Sequence, residues 1–187
     1  MAIIGLSKLH YARMTTPDTA TTAPVYETPK RLIGVNSVSV SPENDEATLY
    51  GDNMALDSKT STRERTITLE IARLPLEDQA ALLGYTYDSA TKKMSVLGDA
   101  SAPNVALMYE EDTDEGKVWY KCFYKGKFAP SAEDSSTRGE SLEYGLHKIE
   151  GKFVARLDNK KVYDVKEADA TDTTTATSWY ASVGGGA

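Results

Sequence analysis

ESLEYGLHKIEGKFVARLDNKKVYDVK, residues 140–166, is the stretch that decides the fold. From His147 to Leu157, alternate positions carry His147, Ile149, Gly151, Phe153, Ala155 and Leu157. The positions between them carry Lys148, Glu150, Lys152, Val154 and Arg156. A period of two over that length is a strand signal, with one face toward a core and the other toward water. Asp158-Asn159-Lys160 suits a short hairpin connection, and Val162, Tyr163 and Val165 continue as a return strand. A strand over residues 143–157 would extend ~50 Å, whereas an ordinary strand has ~5–6 residues. A small closed domain has little use for such a strand. A subunit that shares a sheet with its neighbours does, so the stretch points toward assembly rather than chemistry.

Alternation recurs on both sides of the chain's middle. Residues 6–14, 32–40, 47–50 and 65–73 read as strands, and in the last of these Ile67, Leu69 and Ile71 share one face. Residues 104–111 and 117–128 read as a hairpin around the acidic tip 112–116. Val118, Tyr120, Cys122 and Tyr124 share one face of its second strand. Trp119 and Phe123 lie on the more polar face, so a helix or a neighbouring subunit is expected to cover them. The period changes once. Pro75 suits a first helical position, Glu77 and Asp78 favour a helix start, and Leu76, Ala80 and Leu83 recur at helical spacing before Gly84. A short helix over 75–83 is predicted.

Between these elements lie polar stretches. Residues 15–30 are rich in Thr, Ala and Pro, 85–95 read as a loop and turn, and 129–139 as a loop. Residues 41–63 are long, polar and broken by only a short strand, so they read as a long loop. Residues 168–187 are Thr/Ala-rich and end in glycines, a composition expected to bury no core. The expected organisation is one β domain over 1–168 with a flexible arm over 169–187. One helix among many strands argues against a parallel α/β fold. The expected class is mainly β, an antiparallel sandwich or barrel with one short flanking helix, a long loop and flexible terminal arms.

The chain has 187 residues, 40% hydrophobic and 26% charged, enough for one core. Eleven tyrosines against three phenylalanines favour half-exposed sheet faces and interfaces over a deep enzyme core. The net charge of −7, without a cluster of Lys and Arg, argues against ordinary nucleic-acid binding. The single cysteine, Cys122, excludes an intrachain disulfide and alternates as a buried residue. The opening Met-Ala-Ile-Ile-Gly-Leu lacks the features of a signal peptide, and no apolar run is long enough to span a membrane.

Catalytic signatures are missing. His10 and His147 sit in alternating strand patterns, no Gly-x-Ser-x-Gly elbow marks a nucleophile, and no phosphate-cradling glycine motif occurs. Two histidines and one cysteine on separate strands do not make a zinc site. An EF-hand register beginning at Asp112 would put Lys117 and Phe123 where glycine and glutamate are required, so the acidic tip is a solvated turn. No enzyme activity, cofactor or metal is expected.

Residues 139–165 resemble the closing segment of the major tail protein (tail tube protein) of long non-contractile-tailed bacteriophages. Gly5-Leu6-Ser7-Lys8-Leu9-His10-Tyr11-Ala12 fits the same family, as do Glu46-Ala47-Thr48-Leu49-Tyr50-Gly51-Asp52-Asn53 and Thr66-Ile67-Thr68-Leu69-Glu70-Ile71. Together the likeness covers most of residues 1–168. It implies a β-sandwich flanked by a helix, assembled into hexameric rings that stack into a hollow tube for DNA. It implies partners of three kinds: the chain itself, a tape-measure protein, and tail-tip or terminator proteins. DNA would meet it only in passage through an acidic lumen, and no membrane is involved. The expected location is the virion tail, with assembly in the host cytoplasm.

In that family a long loop bridges rings. The candidate is residues 41–63 with Glu43, Asp45, Glu46, Asp52, Asp57, Lys59, Arg63 and the adjoining Arg65. Trp119, Phe123, Lys148, Glu150, Lys152 and Arg156 are candidates for the subunit interface or barrel wall. The rival expectation is a monomeric β-sandwich that binds carbohydrate or peptide on Trp119, Tyr120 and Phe123.

Overall fold

The computed structural model describes residues 2–51, 54–130 and 145–186. In chain order they form β1 (Ile3–Thr16), β2 (Val25–Tyr26), β3 (Lys30–Arg31), β4 (Val35–Gly51), β5 (Met54–Ile71), α1 (Leu76–Leu83), β6 (Thr86–Asp88) and β7 (Lys93–Ser95). They continue with β8 (Val105–Thr113), β9 (Lys117–Pro130), β10 (His147–Val154), β11 (Tyr163–Asp169) and α2 (Thr173–Ala181), closed by a 3-10 turn at Val183–Gly185. The main sheet is antiparallel and runs β2-β1-β8-β9-β10-β5-β4, with β3 added to β1 and β11 to β9. Its two ends do not pair among the described residues, so the fold is a mainly β sandwich and not a closed barrel.

The predicted β8–β9 hairpin and the helix before Gly84 are present, and the strand predicted over 65–73 is the end of β5, which stops at Ile71. Gly84 caps α1 in the left-handed conformation, φ 74°, and a Cβ there would meet the Ser101 carbonyl oxygen at 2.2 Å. Leu76 departs from its expected core face: it is exposed, and Leu82 is buried instead.

Residues 145–166 fold differently from the expected hairpin. β10 spans His147–Val154, shorter than the predicted 143–157; Gly145 and Leu146 are outside it and 140–144 lie outside the described residues. Within β10 the alternation holds: Ile149, Gly151 and Phe153 are buried while Lys148, Glu150 and Lys152 are exposed. The return strand β11 does not pair with β10. Both pair with β9, one after the other along the same edge: Ile149↔Pro130 to Phe153↔Gly126, then Tyr163↔Phe123 to Asp169↔Lys117. Residues 155–162 are therefore an excursion from one interrupted strand. It is closed on itself by Arg156 N to Lys161 O at 2.9 Å and Lys160 N to Arg156 O at 3.1 Å.

Two apolar layers flank the sheet. The first is enclosed by the bent sheet and α1, and holds Leu9, Ile67, Leu69, Leu82, Leu107, Tyr109, Phe123, Phe128 and Phe153. The second lies on the opposite face of β8 and β9 and holds Met108, Val118, Tyr120, Cys122, Tyr124 and Trp179. Hence Val105–Glu110 of β8 are buried on both faces.

The expectation of a flexible C-terminal arm is corrected. α2 starts at Asp172, whose side chain accepts from Thr174 N and Thr175 N, and it buries Trp179 against the second layer. The described residues therefore carry two α-helices. The signal in the sequence is Trp179 itself, a large ring in a Thr/Ala run that gains much from burial. The expected loop at 85–95 is likewise a small hairpin, β6–β7, whose tip Asp88 holds through Ala90 N and Thr91 Oγ1.

Candidate functional site: an unsupported ribbon and a polar sheet face

The described residues of 41–63, namely 41–51 and 54–63, are strands and not a loop. β4 and β5 continue through them as one ribbon, with a bulge between Glu43 and Asn44. β10 supports β5 only from Ile71 to Glu64. Beyond that point Asn44↔Thr62 through Gly51↔Met54 pair with each other alone among the described residues. Eight pairs at ~3.4 Å each carry the ribbon ~27 Å past the sheet. Asn44, Glu46, Thr48, Met54, Asp57 and Ser58 are all exposed along it.

The change of character lies in side-chain chemistry. In the supported half Val38 and Val40 face Leu69 and Ile67 across the pair and pack on the first core. In the projecting half the sequence NDEATLYG and MALDSKTSTR offers no continuous apolar face. An isolated two-stranded ribbon is marginal in water.

At the ribbon root the outward face of the body gathers charge. Glu43 Oε1 accepts from Thr66 Oγ1 at 2.7 Å and meets Lys152 Nζ at 3.2 Å; Glu64 lies 4.0 Å from the same lysine. The Thr66 hydrogen bond, with Lys152 beside it, holds the Glu43 carboxyl below the ordinary carboxylate range. Across the three strands the outward rows are Ser37, Glu70, Lys148; Ser39, Thr68, Glu150; and Ser41, Thr66, Lys152. This face is polar and populated by short hydroxyls.

Of the sequence candidates, Glu43, Lys152, Glu150 and Lys148 thus come together on one face. Glu46 and Asp57 are exposed on the ribbon. Asp45 and Lys59 occupy ribbon positions opposite Ser61 and Ala47, and Arg63 falls at the bulge. Asp52 lies outside the described residues. Arg65 belongs to the body, its guanidinium 4.6 Å from the Tyr163 ring centroid.

Three candidates depart from expectation. Phe123 is 2% exposed, enclosed by Tyr109, Phe153 and Tyr163 of its own chain. Trp119 is half-buried and donates Nε1 to Glu167 at 2.9 Å, so β11 covers it. Arg156, expected on the wet face, is 4% exposed because the chain leaves the strand after Val154 and the alternation ends; it pairs with Asp158 and lies over Tyr124. Tyr120 is also buried, so none of the three aromatics expected on a carbohydrate- or peptide-binding face is exposed.

Sequence reasoning missed the lock at the excursion. Asp18 is buried in the Thr-rich loop, accepts from Lys125 Nζ at 2.6 Å and Leu157 N at 2.5 Å, and ties that loop to β9 and the excursion. Burial alone would raise its carboxyl; these hydrogen bonds outweigh it and hold it below the ordinary range. Nothing in the local sequence marks Asp18. Among the described residues no group of His, Cys, Asp and Glu could hold a metal ion, and no helix is long and apolar enough to cross a membrane.

Residues 12–143 match the family described as phage tail tube protein, more than two thirds of the chain. The chain belongs to that family. A tail tube protein is a structural component of the virion tail, and its chemistry is self-association, which fits a site made of a ribbon and a sheet face. β10, β11 and α2 lie beyond the matched residues. A comparison with curated proteins found no match.

Proposed function

We propose that this tail tube protein assembles into hexameric rings that stack into the tube of a long non-contractile tail, through which DNA is delivered. The observation that supports this best is the ribbon: eight strand pairs that leave the body, with Asn44, Glu46, Thr48, Met54, Asp57 and Ser58 exposed along them. Such a ribbon gains its stability from a second copy, by packing or by adding strands to an open edge. It takes the inter-ring role expected for 41–63, with its five acids against two bases pairing across the joint. The face carrying Lys148, Glu150 and Lys152 forms part of the tube wall. Six copies at −7 each bring 42 net negative charges to a ring, and the share that lines the channel repels DNA phosphates. The tape-measure and tail-tip proteins are the further partners of such a tube.

The test replaces residues 45–60 with a two-residue turn and compares wild type and variant by electron microscopy and light scattering. Wild type should give hollow tubes at high concentration or when seeded on tail tips. The variant should stay a folded monomer. Tubes formed equally well without the ribbon would overturn its role. A wild type that never polymerises on a tail tip would overturn the tube reading.

A further inference from the structure

The C-terminal segment sits on the sandwich without being woven into it. Among the described residues α2 and the 3-10 turn belong to no sheet, and their buried anchors pack on the second apolar layer. The first core lies on the other side of β8 and β9, draws on β1, β4, β5, β8, β9, β10 and α1, and takes nothing from residues 173–186.

The segment's hold is thin. Trp179 and Val183 are its large buried anchors, and Tyr180 stacks on His10 with ring centroids 4.0 Å apart. Trp179 Nε1 is buried without a hydrogen-bond partner among the described residues, which weakens the docked state. Four of the nine α2 residues are threonine, whose β-branching lowers helix propensity. Gly184, Gly185 and Gly186 all take positive φ, so the end of the cover has little intrinsic stiffness. What it covers is apolar: Ala106, Met108, Val118 and Cys122 are each at most 6% exposed beneath it.

We propose that α2 and the 3-10 turn form a latch that opens as a unit while the sandwich stays folded, and that the sheet face it uncovers is a self-association surface for another copy of this chain. The two separate apolar layers make independent opening possible. An uncovered apolar sheet face does not remain bare in water. In a protein that builds a polymer of itself, the partner at hand is a second copy. That last step rests on the tail-tube reading. Docked, the latch restrains association; open, it permits it.

Cys122 reports on the latch directly, being the single cysteine and fully buried against it. Labelling with dithiodipyridine is measured on the full chain across urea concentrations below the unfolding transition. The latch predicts labelling at least roughly tenfold faster than global unfolding allows, with weak urea dependence, as sub-global opening requires. Trp179→Ala, and more mildly His10→Ala, should speed labelling further while keeping the cooperative unfolding transition, and should raise the mass seen by light scattering. Labelling in wild type that tracks global unfolding at every urea concentration overturns the latch, whether or not either variant folds. Fast labelling with variants that stay monomeric at every concentration overturns its link to association. Association of the open variants in a wild type that never forms tubes would leave the latch standing and sink the tube reading instead.

Discussion

Between Val35 and Glu43, β4 runs beside β5 over an apolar core; from Asn44 to Gly51 it runs beside the same partner, and the core takes no described residue from there. The ladder runs on through both halves past a bulge between Glu43 and Asn44, so strand pairing alone does not set them apart. What differs is the third strand and the apolar face it encloses. β10 stops at Val154, opposite Glu64, and there the structure passes from fold to appendage. The body is held by its own chain; under the proposed function the ribbon is held by another copy. Substitutions in the two regions should therefore separate stability from assembly.

The largest effect belongs in the body. Phe153 is fully buried, edge-on to Phe123 and Phe128 with centroids 5.7 Å away in each case. Phe153→Ala should cost about 3–5 kcal/mol in urea unfolding and remove folded subunit and tube together. The ribbon replacement should do the reverse, leaving the unfolding midpoint near wild type.

Asp18→Asn comes next. It leaves Lys125 with its charge 15% exposed and unpaired, and should cost ~3 kcal/mol at neutral pH. The sign of its pH dependence follows from a carboxyl held low in the folded state. Its stabilisation is complete above the unfolded value near ~3.9 and is lost as pH falls through the lower folded value. Wild type should therefore lose stability below about pH 4, and the difference from Asp18→Asn should shrink there. A constant difference down the acid limb would assign the loss to packing instead.

A smaller effect tests how the body accommodates its aromatics. Gly151 pairs with Phe128 and Gly126 with Phe153, and each ring lies across the opposing glycine. A Cβ on Gly151 would stand 2.7 Å from the Phe128 ring. Gly151→Ala should cost ~1–3 kcal/mol by overpacking, measured by urea unfolding. A neutral result would mean the ring moves aside freely.

These positions also show what was legible in the sequence. Period-two alternation placed Ile149, Gly151 and Phe153 inside, and Ile67, Leu69 and Ile71 likewise, because burial of one strand face leaves a local mark. It could not name partners. β10 and β11 read as a hairpin since their spacing and turn residues suit one, yet β9 is long enough to pair with both in succession. Arg156 was misassigned for the same reason: alternation has meaning only while the chain stays in the sheet. The ribbon read as a loop because a strand without a core has no apolar period. Its length and acidity were visible, its extended form was not. Asp18 and the Trp179 cover depend on contacts across 107 positions or on an opposite sheet face, and carry no local pattern.

The smallest expected effect on stability tests the joint between the two regions. Lys152 is 60% exposed and reaches Glu43 on β4 and Glu64 on β5 at the point where support ends. Exposed pairs of this kind contribute little to folding and are screened by salt. Lys152→Glu should therefore leave the urea midpoint of the subunit unchanged within error. It places three carboxylates at the ribbon root, where the two strands emerge, and should repel the ribbon from its seat and its neighbour. Tube growth should slow at low ionic strength and recover toward wild type as salt is raised. If growth is unaffected at low salt, the outward row of β10 is remote from any subunit contact and its place in the tube wall is lost. If stability falls with growth, the root belongs to the body, and the boundary between fold and appendage lies further out than Glu64.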